Sequence, residues 1–149
     1  MKIDPINRLV ARILIASAMF VLASVALGQD APSRLFVTVT GERPQAQAMP
    51  LVLANQALDQ GAEVRVLLCD AGGQLALKNH QAPSLAPRDI TAKDLLARLI
   101  NRGAIVEVCA LFIPNTEHTP EELSEGVGMA KPGDVAAWMM SPNTRLFAH

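Results

Sequence analysis

Residues 91–113 read TAKDLLARLINRGAIVEVCALFI, and this stretch decides the fold class. Thr91 is a helix N-cap, and Asp94 stands three residues on, where a carboxylate answers both the cap and the positive end of the helix. Leu95, Leu96, Leu99 and Ile100 then form one apolar face, and Gly103 ends the helix. Ala104 to Ile113 follows at once, apolar and rich in β-branched residues, and Pro114 stops it. It reads as a buried strand, or as a strand with its exit loop. A capped helix, a glycine stop and a strand in direct succession mark the tight connections of a layered α/β protein.

The pattern repeats on either side. Arg34 to Thr40 (RLFVTVT) reads as a first strand ended by Gly41. Gln45 to Gln60 carries Met49, Leu51, Val52, Leu53, Ala57 and Leu58 on a helical face stopped by Gly61, and Pro50 within it places the helix start near that proline. Glu63 to Cys69 is a second strand, followed by Asp70-Ala-Gly-Gly73. Gln74 to Lys78 reads as a helical turn, and Pro83 and Pro87 make the remainder up to residue 90 a loop. Beyond Pro114, Thr119-Pro-Glu-Glu122 is a capping box with proline in the first turn, predicting a short helix to about Glu125. Lys131 to Met140 is an amphipathic helix with Val135, Trp138 and Met139, and Ser141-Pro-Asn143 turns the chain into a last strand, Thr144 to Ala148. Strands separated by helices call for parallel pairing through right-handed crossovers, hence an α/β layered sheet.

The first 28 residues stand apart. Lys2, Arg8 and Arg12 give a basic start, and Ile13 to Gly28 is a run of 16 residues without charge. That is short of the roughly 20 needed to span a bilayer as a helix. Ala26 and Gly28 place small residues before Gln29, as a signal-peptidase site requires, and neither a twin arginine nor a cysteine after the cut is present. The expectation is a cleaved signal peptide over 1–28, a single mature domain over 29–149, no stable membrane span after cleavage, and work outside the cytoplasm, most simply in a periplasm. An uncleaved anchor and a buried apolar helix are the alternatives.

The chain of 149 residues is 50% apolar and 18% charged, enough for one core. Its formal charge is −1; setting aside the leader's three basic and one acidic residues leaves −3. An acidic body gives nucleic acid little electrostatic reason to bind. With Phe36, Phe112, Phe147 and Trp138 as its only aromatics, the mature chain has no base-stacking platform or ring-lined sugar cleft.

Open parallel sheets keep their working groups at the carboxyl ends of strands. Both cysteines fall there: Cys69 closes the second strand and Cys109 lies late in the third. A thiol so placed can be favoured as thiolate by a following helix. Two plainer readings stand beside this: both thiols packed as small apolar residues, or joined in a disulfide, which the strand order decides. Their separation in sequence excludes a C-x-x-C redox motif and paired zinc knuckles. His80, His118 and His149 form no local ligand motif, so a site from Cys69, Cys109, His80 and His118 is only conceivable, and the expectation is no metal and no cofactor. Thr40 to Pro44 lacks a phosphate-loop pattern and reads as a turn. No serine has a nucleophile-elbow context. Glu121 and Glu122 are capping carboxylates, and Met129, Met139 and Met140 are packing or interface residues.

Taken in order, Leu99-Ile-Asn-Arg-Gly103, Val106-Glu-Val-Cys-Ala110, Gly126-Val-Gly128, Ala136-Ala-Trp138-Met-Met-Ser141 and Thr144-Arg-Leu-Phe147 resemble the DsrE/DsrF-like small sulfur-handling proteins of the DsrE, TusD and YchN type. The resemblance covers residues 34–148. It implies a three-layer α/β/α domain with a mostly parallel sheet of about five strands, associating into trimers or hexamers. It also implies that Cys109 accepts sulfane sulfur as a persulfide and passes it to a partner. Cys69 has no securely aligned counterpart in the family and is a possible resolving thiol by its own place at a strand end. The partners would be sulfur donor and acceptor proteins or small thiols. The rival expectation is a non-catalytic oligomeric binding or scaffold domain, and a small-ligand binder using the strand-end cleft is a third.

Overall fold

A strand of alternating side chains can serve two layers at once, and the first one does. β1 (Arg34–Val39) sends Val37 and Val39 into the main core and Phe36 to the opposite face. The computed structural model describes residues 32–148, so the leader, its cleavage point and His149 lie outside the described residues. After β1 come α1 (Pro44–Asp59), β2 (Glu63–Leu68), a 3-10 turn over Asp70–Ala76, a short antiparallel hairpin of β3 (Ser84–Leu85) and β4 (Ile90–Thr91), and α2 (Ala92–Asn101). β5 (Ile105–Val108), two further 3-10 turns, β6 (Val127–Met129), α3 (Pro132–Met139) and β7 (Thr144–Ala148) complete the chain.

β1, β2, β5, β6 and β7 form one parallel sheet in the order β6-β5-β2-β1-β7. The chain steps outward from β1 through β2 and β5 to β6, and α3 then carries it back to the far side of β1. Helices α1 and α2 cover one face and are tied by Asn55, whose Nδ2 donates to the carbonyls of Leu51 (2.9 Å) and Leu95 (3.1 Å). Beneath them lie Leu51, Leu96, Leu99, Val66, Leu68 and Val108, all sealed from solvent. On the other face α3 packs Val135 and Trp138 against Phe36. The result is the expected three-layer α/β/α arrangement.

Capping and stop signals act as the sequence implies. The Thr91 hydroxyl accepts from the Asp94 N–H (3.0 Å), and the Asp94 carboxylate accepts from the Thr91 N–H (3.0 Å). Gly61 and Gly103 follow α1 and α2 with φ of 80° and 85°, which a side chain would strain.

Three boundaries differ from expectation. α1 begins at Pro44, not near Pro50, which sits buried inside the helix. An interior proline costs about 3 kcal/mol; its burial beside Leu51 and Ala54 offsets that. Of the two readings of residues 104–113, the strand with its exit loop holds: β5 ends at Val108, and the Phe112 N–H turns back to the Cys109 carbonyl (3.0 Å). The helix after Thr119 is only a 3-10 turn, Pro120–Glu122, because Leu123 leaves extended to bridge Leu77. The proline-bearing segment read as loop carries the β3–β4 hairpin. Among the described residues no helix is long and apolar enough to cross a membrane.

Candidate functional site

The sheet's carboxyl edge is where the two cysteines meet. β2 and β5 are neighbours, paired from Arg65 opposite Ile105 to Leu68 opposite Val108. One residue further, the same register sets Cys69 opposite Cys109. Both backbones are pinned: the Cys69 N–H donates to the Val39 carbonyl (3.0 Å) and the Cys109 N–H to the Leu68 carbonyl (2.9 Å). Their own carbonyls accept from Gly73 (3.2 Å) and Phe112 (3.0 Å). The thiols are therefore held by the ends of the sheet and by the two turns that leave it.

The glycine pair after Cys69 makes this approach possible. A Cβ on Gly72 would run into the Val39 carbonyl, and one on Gly73 into the Phe112 ring. Asp70, between the strand and the glycines, takes φ of 49°, a conformation aspartate tolerates better than most residues. The chain thus reverses within one residue of Cys69.

Both cysteines are half-buried, and neither is in a disulfide. They open on a shallow hollow of about 570 Å³ lined also by Asp70, Gln74, Phe112 and Thr116. Burial, first, and then a hydrogen bond to Cys109 and the negative charge that Cys109 can carry push the Cys69 thiol up to about 12, with Asp70 adding to the effect. Cys69 therefore keeps its proton through the neutral range.

The histidines stand off. His118 stacks on Phe112 with ring centroids 6.3 Å apart, and its Nδ1 lies 3.3 Å from Glu122 Oε2. His80 and His118 share a separate hollow of about 180 Å³ with Gln74 and Glu122. Burial, with Lys93 adding, lowers the His80 pKa. The structure does not gather Cys69, Cys109, His80 and His118 into one ligand set; among the described residues no group of three His, Cys, Asp or Glu is placed to hold a metal. Glu122 caps its turn, accepting from the Thr119 N–H at 2.8 Å. The carbonyl of Gly41, in the turn after β1, accepts from Gln47 Nε2 at 2.9 Å. Met139 packs beside Phe36, whereas Met129 and Met140 are exposed.

Phe112, Gln74 and Thr116 line the hollow without having been singled out in the sequence. The pair Gly72-Gly73, two residues beyond a strand-end cysteine, was the available signal.

No protein-family model matches this chain, and no curated protein matches it. Among solved structures, it matches the crystal structure of the YchN protein from E. coli with a TM-score of 0.66. The match covers 80% of this chain and 100% of that one, at 16% sequence identity. The five-stranded parallel sheet flanked by helices is the fold of YchN, a DsrE/TusD-type fold.

Proposed function

We propose that the protein is a sulfur carrier in which Cys109 accepts sulfane sulfur as a persulfide and passes it to a partner. The observation that carries this reading is the meeting of two free thiols at adjacent strand ends over an open hollow. The Cys109 thiolate attacks the sulfane sulfur of a donor persulfide, forming a Cys109 persulfide and expelling the donor thiolate. A partner nucleophile then attacks the outer sulfur and returns Cys109 as thiolate. No electrons are gained or lost over the cycle.

The donor and acceptor in this reading are proteins or small thiols, and the carrier works as a homo-oligomer. Exposed Leu111 and Met140, 72% and 85% accessible in the isolated chain, are apolar surface that self-association would cover. The leader pattern supports export to a periplasm, and a mature chain beginning at Gln29 is the matching mass-spectrometric result.

Cyanide tests the reading. The Cys69→Ser variant, loaded with inorganic polysulfide and desalted, should yield about one thiocyanate per chain on cyanide treatment. Cys109→Ser should yield none, and an equal yield from that variant would overturn the assignment.

One observation favours a binding-scaffold alternative: a groove of about 950 Å³ along α1 and α2, edged by Met49, Val52, Arg88 and Arg98. Thiol titration of the native reduced protein separates the two, since the scaffold needs no reactive thiol.

A further inference from the structure

The carrier cycle uses one sulfur nucleophile, yet the sheet delivers two. The parallel register that ends at Leu68 opposite Val108 continues to Cys69 opposite Cys109. Adjacent strands lie about 4.8 Å apart, within the Cα separation of about 4.4–6.8 Å that a disulfide accepts. Cys69 is still extended at φ −132° and ψ 161°, so its side chain leaves the backbone in strand geometry. The two thiols are close enough for each to act on the other's ionisation. Both face the same hollow, which leaves room for a third sulfur atom.

We infer that Cys69 gives the site a second outcome: when no partner takes the sulfur, the Cys69 thiol discharges the Cys109 persulfide as hydrosulfide and leaves a Cys69–Cys109 disulfide. This rests on the sulfur-carrier reading. Cys69 attacks the inner sulfur, the Sγ of Cys109. The bond between the two cysteine sulfurs forms, and the bond between Sγ of Cys109 and the outer sulfur breaks. The outer sulfur, which arrives as the persulfide anion, keeps the electron pair, takes the Cys69 proton and departs as HS⁻. The sulfane sulfur is reduced to sulfide, and the two cysteine sulfurs end at the disulfide level. Charge and protons balance without any further reagent.

Position separates the two fates. Cys69 stands at the strand level of Cys109, beside its Sγ, whereas a partner entering the hollow meets the outer sulfur. The disulfide product has no acceptor thiol, so each chain discharges once and then waits for a dithiol reductant. A carrier built in this way releases unclaimed sulfur as sulfide and stops accepting more.

The test uses the mature protein, reduced, loaded with inorganic polysulfide, desalted and followed over time by intact mass and by sulfide assay. The Cys69→Ser variant should hold an adduct about 32 Da heavier until an external thiol is added. The unaltered protein should instead end about 2 Da lighter than its reduced form, with about one sulfide released per chain. Cys69→Ala must behave as Cys69→Ser does, and both must show the circular dichroism of the parent. If Cys69→Ser takes up no sulfur, the carrier reading fails and this inference with it. If Cys69→Ser takes up sulfur and the unaltered protein retains it equally well, the discharge step is overturned and the carrier reading stands.

Discussion

Glu107 of β5 accepts two hydrogen bonds through Oε2 from Arg65 of β2, one from Nε at 2.9 Å and one from Nη2 at 2.7 Å. Arg65 also donates from Nη1 to the Asp134 carbonyl of α3 at 3.2 Å. One buried guanidinium thus joins the two strands that end in the cysteines to the helix layer that covers them. Its side chain is only 7% exposed, so removing its partner leaves a charge out of water and unpaired. Glu107→Ala should lower unfolding stability by about 3–5 kcal/mol, measured by urea denaturation. Replacing Arg65 and Glu107 together by Met and Leu should recover most of that loss. A Glu107→Ala loss below about 1 kcal/mol would mean that the pair behaves as a solvated one.

The α2 cap predicts a dependence on pH. Hydrogen bonds from the Thr91 hydroxyl and N–H hold the Asp94 carboxyl below its ordinary value. A carboxyl with a folded pKa below its unfolded one stabilises the fold fully above the unfolded value and loses that contribution as pH falls through the folded one. Asp94→Asn should therefore be less stable than the parent at neutral pH and converge with it as pH falls below the ordinary carboxylate range. Thr91→Ala should cost about 1 kcal/mol. Thermal melts across that pH range check both.

Gly72 and Gly133 should respond oppositely to the same substitution. A Cβ at Gly72 meets the Val39 carbonyl, whereas one at Gly133, in the first turn of α3, meets nothing within 4 Å. Gly72→Ala should cost more than about 2 kcal/mol, and Gly133→Ala should be neutral or stabilising by up to about 1 kcal/mol. Equal melting temperatures for the two variants would contradict the close packing of the turn after Cys69 on β1.

Cysteine reactivity carries its own signature. Pushed up to about 12, the Cys69 thiol keeps its proton at pH 8. Iodoacetamide at that pH should modify Cys109 first. Once Cys109 is capped and uncharged, its contribution to the Cys69 shift disappears, and Cys69 should alkylate more readily than before. The folded chain also holds the Cys69 proton more tightly than the unfolded chain, whose value is near 9.0. That contribution is complete below about pH 9 and declines as pH rises toward 12. Peptide mapping that found Cys69 modified first would reverse the assigned roles.

Where local chemistry decides, the sequence could be read directly. Thr91 with Asp94 announces α2, Gly61 and Gly103 announce the two tight connections, and Cys69 and Cys109 are visibly strand-end residues. Pro50 misleads because its cost is local while its compensation, burial under the sheet, is tertiary. β6 escaped notice because three residues with a glycine at their centre have no periodicity of their own; Val127–Met129 is a strand by virtue of its pairing with Val106–Val108. The same holds for the site. That β2 lies beside β5 is a fact of strand order, and without it the meeting of Cys69 with Cys109 has no sequence signal.

The central claim is that Cys109 is the atom on which sulfur arrives. Polysulfide enriched in a heavy sulfur isotope, followed by alkylation under non-reducing conditions and peptide mapping of the Cys69→Ser variant, tests it most directly. The account predicts labelled sulfur on the peptide containing Cys109 and none elsewhere. Label absent from that peptide, or undiminished in the Cys109→Ser variant, would contradict it.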